Sequence, residues 1–171
     1  MFKVGDLILY GSTGVCRVVD ITPNGPMGTD QDHHYYELAP LYQNCTIFVP
    51  TNTTKVFMRP IITKDEAKRL VDMIPGMQVE VYNDYAMNQL TQHYKASLET
   101  HDCYDLLELC MSTYARKKAA EQQNKKFGAI DEKYMKRAED LLFGELAAAL
   151  GMDREQVNEY IAEKVNGELG N

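Results

Sequence analysis

Short apolar runs fill the first third of the chain and predict β-strands. Leu7–Tyr10 is one such run, and it ends at a loop, 11–14, whose two glycines suit backbone turns with positive φ. The next run, 15–21, is read with period two. This reading places Val15, Arg17, Val19 and Ile21 on one face and Cys16, Val18 and Asp20 on the other.

Two further strands are predicted at 35–41 and 45–49, and a shorter one near 55–58. The run at 45–49 is β-branched and aromatic and is stopped by Pro50, which favours an edge strand. Such a strand can be extended by a strand of another protein. Short strands in this number predict a small twisted sheet that closes into a barrel over residues 1–60.

Beyond residue 60, apolar residues recur at helical spacing. Five helices are predicted, near 63–74, 84–98, 105–123, 129–150 and 153–166. Strands come first and helices follow, with no alternation of the two, so the fold class is all-β plus all-α in two domains. We expect a small β-barrel at 1–60 and a compact bundle of about five helices at 61–171.

Net charge limits the role that nucleic acid can play. The formal charge of the 171 residues is −7, whereas a protein that binds by neutralising phosphates is normally basic. A stand-alone, high-affinity nucleic-acid binder is therefore excluded. The sequence holds neither an 18-residue apolar run nor a secretory-type N-terminus, so we expect a cytoplasmic location without membrane contact.

Candidate chemistry is sparse. The four cysteines form no CxxC pair and are interpreted as buried free thiols. His33 and His34 lie on a loop rich in proline and glycine, and are interpreted as solvated. A glycine-rich phosphate loop, a nucleophile elbow and a paired-histidine metal motif are all missing. We therefore expect a protein that is not an enzyme and has no cofactor, metal or small-molecule substrate.

The order of motifs resembles the CarD/CdnL family of bacterial transcription regulators, whose barrel also occurs in the transcription-repair coupling factor. The first segment is Val4-Gly5-Asp6, an apolar strand ending at Tyr10, and Gly14-Val15 before a strand ending at Ile21. Residues 56–67 resemble the family's junction between barrel and helices, 94–99 its helix near DNA, and 127–147 its final long helix. The similarity covers about residues 2–150.

The resemblance implies a fold and a mechanism. The barrel would be Tudor- or SH3-like and would dock on the β subunit of RNA polymerase. The helical domain would then reach promoter DNA, where an apolar wedge and basic neighbours slow closure of the bubble. The implied polymerase-binding residues are Asn24, Thr46, Ile47 and Phe48. The implied DNA-binding residues are Leu90, Gln92, His93, Lys95 and Lys133.

The chain departs from the family at the wedge. It contains no tryptophan, and Leu90 occupies the wedge position, with Gln92 and His93 where the family is basic. Leu90 is either a wedge or a core residue. The protein is therefore either a stabiliser of the open promoter complex or an adaptor that has lost contact with DNA. Residues 116–126, with five basic side chains and one acidic, carry a local charge of +4 and are either solvated or face phosphate.

Overall fold

The computed structural model describes residues 1–23, 34–79, 81 and 86–169, and of 165–169 the backbone alone. The chain divides into two compact units, Met1–Thr63 and Lys64–Asn171. The first unit contains strands and the second contains helices. This arrangement confirms the predicted fold class.

A five-stranded antiparallel sheet forms the first unit. The strands are β1 (Leu7–Tyr10), β2 (Gly14–Thr22), β3 (Tyr35–Pro40), β4 (Ile47–Pro50) and β5 (Met58–Pro60). Their order is β4-β3-β2-β1-β5, which places β4 at one end. The prediction that β4 is an edge strand is confirmed. Gly11 (φ 45°) turns the chain between β1 and β2, and a Cβ there would lie 2.9 Å from Cγ1 of Val56.

A β-bulge changes the faces of β2 from those predicted. Val18 pairs with Leu38, but Asp20 pairs with Glu37, so Val19 is an extra residue. Val19 is 45% exposed, whereas Ile21 packs against the core. Strict alternation placed these two side chains on the same face, and that prediction was wrong because the bulge shifts the register by one residue.

A hydrophobic core lies on one face of the sheet. Its buried members are Ile8, Cys16, Val18, Tyr36, Leu38 and Val49. Tyr36 and Leu38 alternate with half-buried neighbours along β3, as the period-two pattern predicts. The hydroxyl of Tyr36 accepts a hydrogen bond from the Phe2 backbone N–H at 3.1 Å, which satisfies the polar tip of a buried ring.

Five α-helices form the second unit, as predicted. They are α1 (Lys64–Met73), α2 (Met87–Glu99), α3 (Cys103–Gln122), α4 (Ala129–Leu150) and α5 (Arg154–Leu169). The helix α3 begins two residues earlier than predicted because the Asp102 carboxylate accepts from the N–H groups of Tyr104 and Asp105, at 2.8 and 3.2 Å. Gly151 ends α4 in the left-handed conformation, with φ 69°.

The four cysteines differ in exposure. Cys16, Cys103 and Cys110 are buried, as predicted, but Cys45 is exposed. The prediction was wrong for Cys45 because this residue belongs to the connection between β3 and β4 and not to a strand. Within the part of the chain that the structure describes, no helix is long and apolar enough to cross a bilayer.

Candidate functional site

The strand β4 is the predicted polymerase-binding segment, and it is paired on one side by β3. In this register Val49 is opposite Tyr36 and Phe48 is opposite Glu37. The N–H of Thr51 donates to the His34 carbonyl at 2.9 Å. Since backbone groups alternate in direction along an antiparallel strand, the N–H and C=O of Phe48 are directed away from β3. These groups lie along the edge where another strand can be added.

The side chains of the candidate residues differ in their surroundings. Phe48 is 41% exposed and Thr46 is exposed, whereas Ile47 packs against the core of the sheet. Leu41 and Tyr42, which precede β4 in the chain, are also large exposed apolar residues. Of the predicted set, Thr46 and Phe48 therefore present side chains to solvent. Asn24, the fourth candidate, lies outside the described residues.

Leu90 is a core residue in this structure. Its side chain is 1% exposed, on the inner face of α2 together with Tyr94. A wedge must project from the surface to enter a base step. Of the two interpretations of Leu90, the packing therefore favours the core.

Two of the other candidates on α2, Gln92 and Lys95, do not share a face with Leu90. Successive residues of an α-helix are turned by about 100°, so Gln92 and Lys95 lie about 140 to 160° from Leu90. Both are exposed. His93 lies at a groove between α2 and α3 whose other wall carries Asp105 and Glu108. The structure thus separates residues that the resemblance brings together, and it places acidic groups beside His93.

A buried hydrogen-bonded cluster joins α2, α3 and α4. The hydroxyl of Tyr94 donates to Asp131 Oδ1 at 2.7 Å. Arg116 donates to both oxygens of the same carboxylate, from Nε to Oδ1 and from Nη2 to Oδ2, each at 3.1 Å. Its Nη1 also donates to the carbonyl of Val81 at 3.1 Å. Together with Tyr94, this bidentate pair links three helices, and it neutralises the charge of Arg116 inside the protein.

The sequence did not reveal this cluster. Asp131 lies in the first turn of α4, where acidic residues are common because they interact favourably with the helix dipole. Its presence there therefore gives no sign of a buried ion pair. Arg116 was counted with the basic residues of 116–126. The pairing joins positions 15 residues apart across a helix connection, and no local pattern in the sequence signals it.

The remaining lysines are at the surface. Lys133 is exposed, and its Nζ lies 5.5 Å from the ring centroid of Tyr134. Four other exposed lysines lie on α3 and on the connection to α4, namely Lys117, Lys118, Lys125 and Lys126. Lys125 and Lys126 line a surface groove of about 400 Å³ at the start of α4. Within the second unit, these lysine side chains carry positive charge that could bind a phosphate.

Taken together, the first unit is a small antiparallel β domain with an apolar edge strand, a class of domain suited to protein docking. Residues 2–62 match the family model of the CarD-like/TRCF RID domain. This match includes all five strands and confirms the resemblance for the first unit. No curated protein matches the chain.

Proposed function

We propose that this protein is a transcription regulator that docks on the β subunit of RNA polymerase through the edge of β4. The proposal depends on one observation, an edge strand with outward backbone groups within a domain that matches the CarD-like/TRCF RID family. A strand of the polymerase would pair with β4, with main-chain hydrogen bonds supplying affinity and side-chain pockets supplying specificity. Phe48 would add apolar contact beside them.

The helical unit would then act on the promoter. A protein of charge −7 binds DNA weakly, but docking on polymerase raises the effective concentration of the helical unit at the melted DNA. The exposed lysines of 116–126 support this role because a lysine ammonium can neutralise a backbone phosphate. In this proposal those lysines, and not Leu90, stabilise the open promoter complex by binding DNA phosphates. The proposed role is binding in the cytoplasm, without catalysis.

A second candidate function is a polymerase-bound adaptor without DNA contact. The burial of Leu90 favours it, since the residue at the wedge position is part of the core. The carboxylates of Asp105 and Glu108 beside His93 favour it too, because they repel phosphate. In this case the helical unit would recruit a further protein.

Docking is tested by two substitutions at one position. Phe48→Pro removes the outward N–H, so we expect binding to purified polymerase to weaken by roughly tenfold or more. Phe48→Ala keeps that N–H and loses only apolar contact, so we expect a smaller loss, of roughly threefold. The affinities are measured with the full chain and the isolated β-subunit lobe. Unchanged binding by Phe48→Pro would exclude strand addition at β4.

The action of the helical unit is tested by the lifetime of the open promoter complex. We expect the protein to lengthen that lifetime, and a variant with Lys117, Lys118, Lys125 and Lys126 changed to Gln to lose the gain while still binding polymerase. A variant with Lys136→Gln and Lys68→Gln, two lysines outside this set, serves as the control. A lifetime that does not change when polymerase is bound would assign the adaptor function instead.

A further inference from the structure

A groove between α2 and α3 has the features of a binding site. The two helices are joined by residues 100–102 and border an open groove of about 260 Å³. The groove is lined by His93, Tyr94, Ala96 and Ser97 of α2, by Thr100 of the connection, and by Asp105, Glu108, Leu109 and Ser112 of α3. Positions 93, 96, 97 and 100 on one side, and 105, 108, 109 and 112 on the other, each follow the helical pattern i, i+3, i+4, i+7, so each side contributes one continuous stripe.

The wall formed by α3 is acidic. Asp105 and Glu108 are half-buried and lie one turn apart. Within the described residues, neither carboxylate has a hydrogen bond or ion pair, and the groove lining contains no lysine or arginine. Two half-buried carboxylates so close together attract a cation, because their partial burial reduces screening by water.

Ser112 supplies a second and independent observation. It is 2% exposed, and its hydroxyl has no hydrogen-bond partner within the described part of the chain. The next residue, Thr113, is different, since its hydroxyl donates to the carbonyls of Cys110 and Leu109 at 2.8 and 2.9 Å. Buried hydroxyls are nearly always paired because an unpaired one costs free energy. Ser112 lines the groove at the position four residues after Glu108, so a ligand donor that reached this hydroxyl would satisfy its unused acceptor.

We propose that this groove binds a guanidinium group, supplied either by an arginine side chain of another protein or by a small guanidino compound. A guanidinium carries five N–H donors in a planar fork, has no acceptor and stays charged. Carboxylates accept from it in a bidentate manner, and a hydroxyl accepts a further N–H. Along α3, Glu108 is about 4.5 Å from Asp105 and about 6 Å from Ser112 in axial rise, so Glu108 can share one guanidinium with either neighbour.

Binding is tested on the full chain by nuclear magnetic resonance of backbone amides. The probe is acetyl-arginine-methylamide, and its neutral analogue acetyl-citrulline-methylamide is the matched control. We expect saturable shifts confined to the facing stripes of α2 and α3, with a Kd roughly in the millimolar range and at least about tenfold tighter than that of the citrulline analogue. Absence of saturable shifts, or equal shifts with both compounds, would overturn the proposal.

Variants then test the two acceptors. We expect Glu108→Gln to weaken binding by roughly fivefold or more, whereas Glu121→Gln, on α3 but outside the groove, leaves it unchanged. Ser112→Ala should weaken binding and leave the thermal midpoint the same or higher, because it removes an unpaired hydroxyl. A lowered midpoint would show that Ser112 has a partner inside the protein and would contradict the proposal.

The source of the guanidinium is distinguished by a second probe, the peptide acetyl-Gly-Arg-Gly-amide. Tighter binding by the peptide than by acetyl-arginine-methylamide would support a protein segment as the occupant. Equal affinity for the two would support a free guanidino compound. The inference does not depend on polymerase docking, because all of these measurements use the purified chain alone.

Discussion

The two units of this protein differ in where they leave polar groups available. In the first unit, the outward N–H and C=O groups of β4 lie along an open edge beside the exposed side chain of Phe48. In the second unit, a charged contact lies inside the protein, since Asp131 is buried and paired with Arg116 and Tyr94. Backbone groups on an edge strand accept a partner readily, whereas a buried pair holds helices together.

This comparison explains why family resemblance is informative for one unit and less so for the other. A docking edge depends on strand order, which short apolar runs and turn residues encode locally. The role of a helical surface depends on which side chains face outward, and residues such as Leu90 and Gln92 that are close in sequence lie on opposite sides of α2. The predictions that follow test this contrast through the stability of the protein.

The largest expected effect comes from breaking the buried pair. Asp131→Ala removes the acceptor of Arg116 and of the Tyr94 hydroxyl, and leaves a largely buried guanidinium without its counter-charge. We expect the free energy of unfolding to fall by about 4 kcal/mol, as for other buried pairs that lose one partner. Urea unfolding followed by the helical circular dichroism signal measures this loss, because the helices belong to the second unit.

Glu132→Ala is the matched control for that experiment. Glu132 is the next residue of α4, and its carboxylate forms an exposed ion pair with Lys136 at 3.4 Å. Exposed pairs contribute less than about 1 kcal/mol, so we expect a small change. Similar losses for the two variants would show that burial of the Asp131 pair does not stabilise the helical unit.

The next effect tests the packing of Leu90. Leu90→Ala removes a side chain that is almost wholly buried, so we expect a loss of about 3 kcal/mol from lost transfer energy and the cavity that remains. The measurement is again urea unfolding of the purified chain. A wedge residue projecting into solvent would give a loss close to zero.

Leu90→Met separates packing from any action on DNA. The two side chains have similar volume, so we expect the stability to fall by less than about 1.5 kcal/mol. If Leu90 belongs to the core alone, this variant leaves the open-complex lifetime at the wild-type value. A changed lifetime in this stable variant would restore the wedge hypothesis.

Much of the fold could be predicted because it depends on local pattern. Two glycines between apolar runs placed the first turn, and Pro50 together with the β-branched run before it placed β4 at an edge. The bulge at Val19 could not be predicted, because Val19 is apolar like its neighbours and only pairing with β3 shows that it is the extra residue. The start of α3 was predicted two residues too late, although Asp102 is of a residue type that caps helices through its side chain.

The candidate surfaces were less predictable than the fold. Thr46 and Phe48 are exposed at the edge, where the apolar pattern placed them. For Leu90 the apolar stripe of α2 fitted a core residue and a wedge equally well, and only the burial of its side chain favours the core. The groove carboxylates, Asp105 and Glu108, gave no signal because spaced acidic residues on a helix usually face solvent.

The smallest effect on stability is expected from modification of Cys45, whose thiol is exposed. Cys16 of the first unit and Cys110 of the second unit are buried and serve for comparison. Burial, with a smaller contribution from the charge of Cys45, raises the pKa of Cys16 to about 11. Burial also raises the pKa of Cys110 in the helical unit. The thiolate is the reactive form, so at pH 8 both buried thiols hold less of it than an exposed cysteine does.

We therefore expect the thiol of Cys45 to react with a disulfide reagent roughly 100-fold faster than the three buried thiols, which react only when the structure opens. In Cys45→Ser the fast phase should disappear. Modification of Cys45 should change the free energy of unfolding by less than about 0.5 kcal/mol, as for other surface changes. A bulky group there, one residue before Thr46, should nevertheless obstruct the edge of β4 and weaken polymerase binding. Binding that survives modification would move the docking surface away from this end of β4.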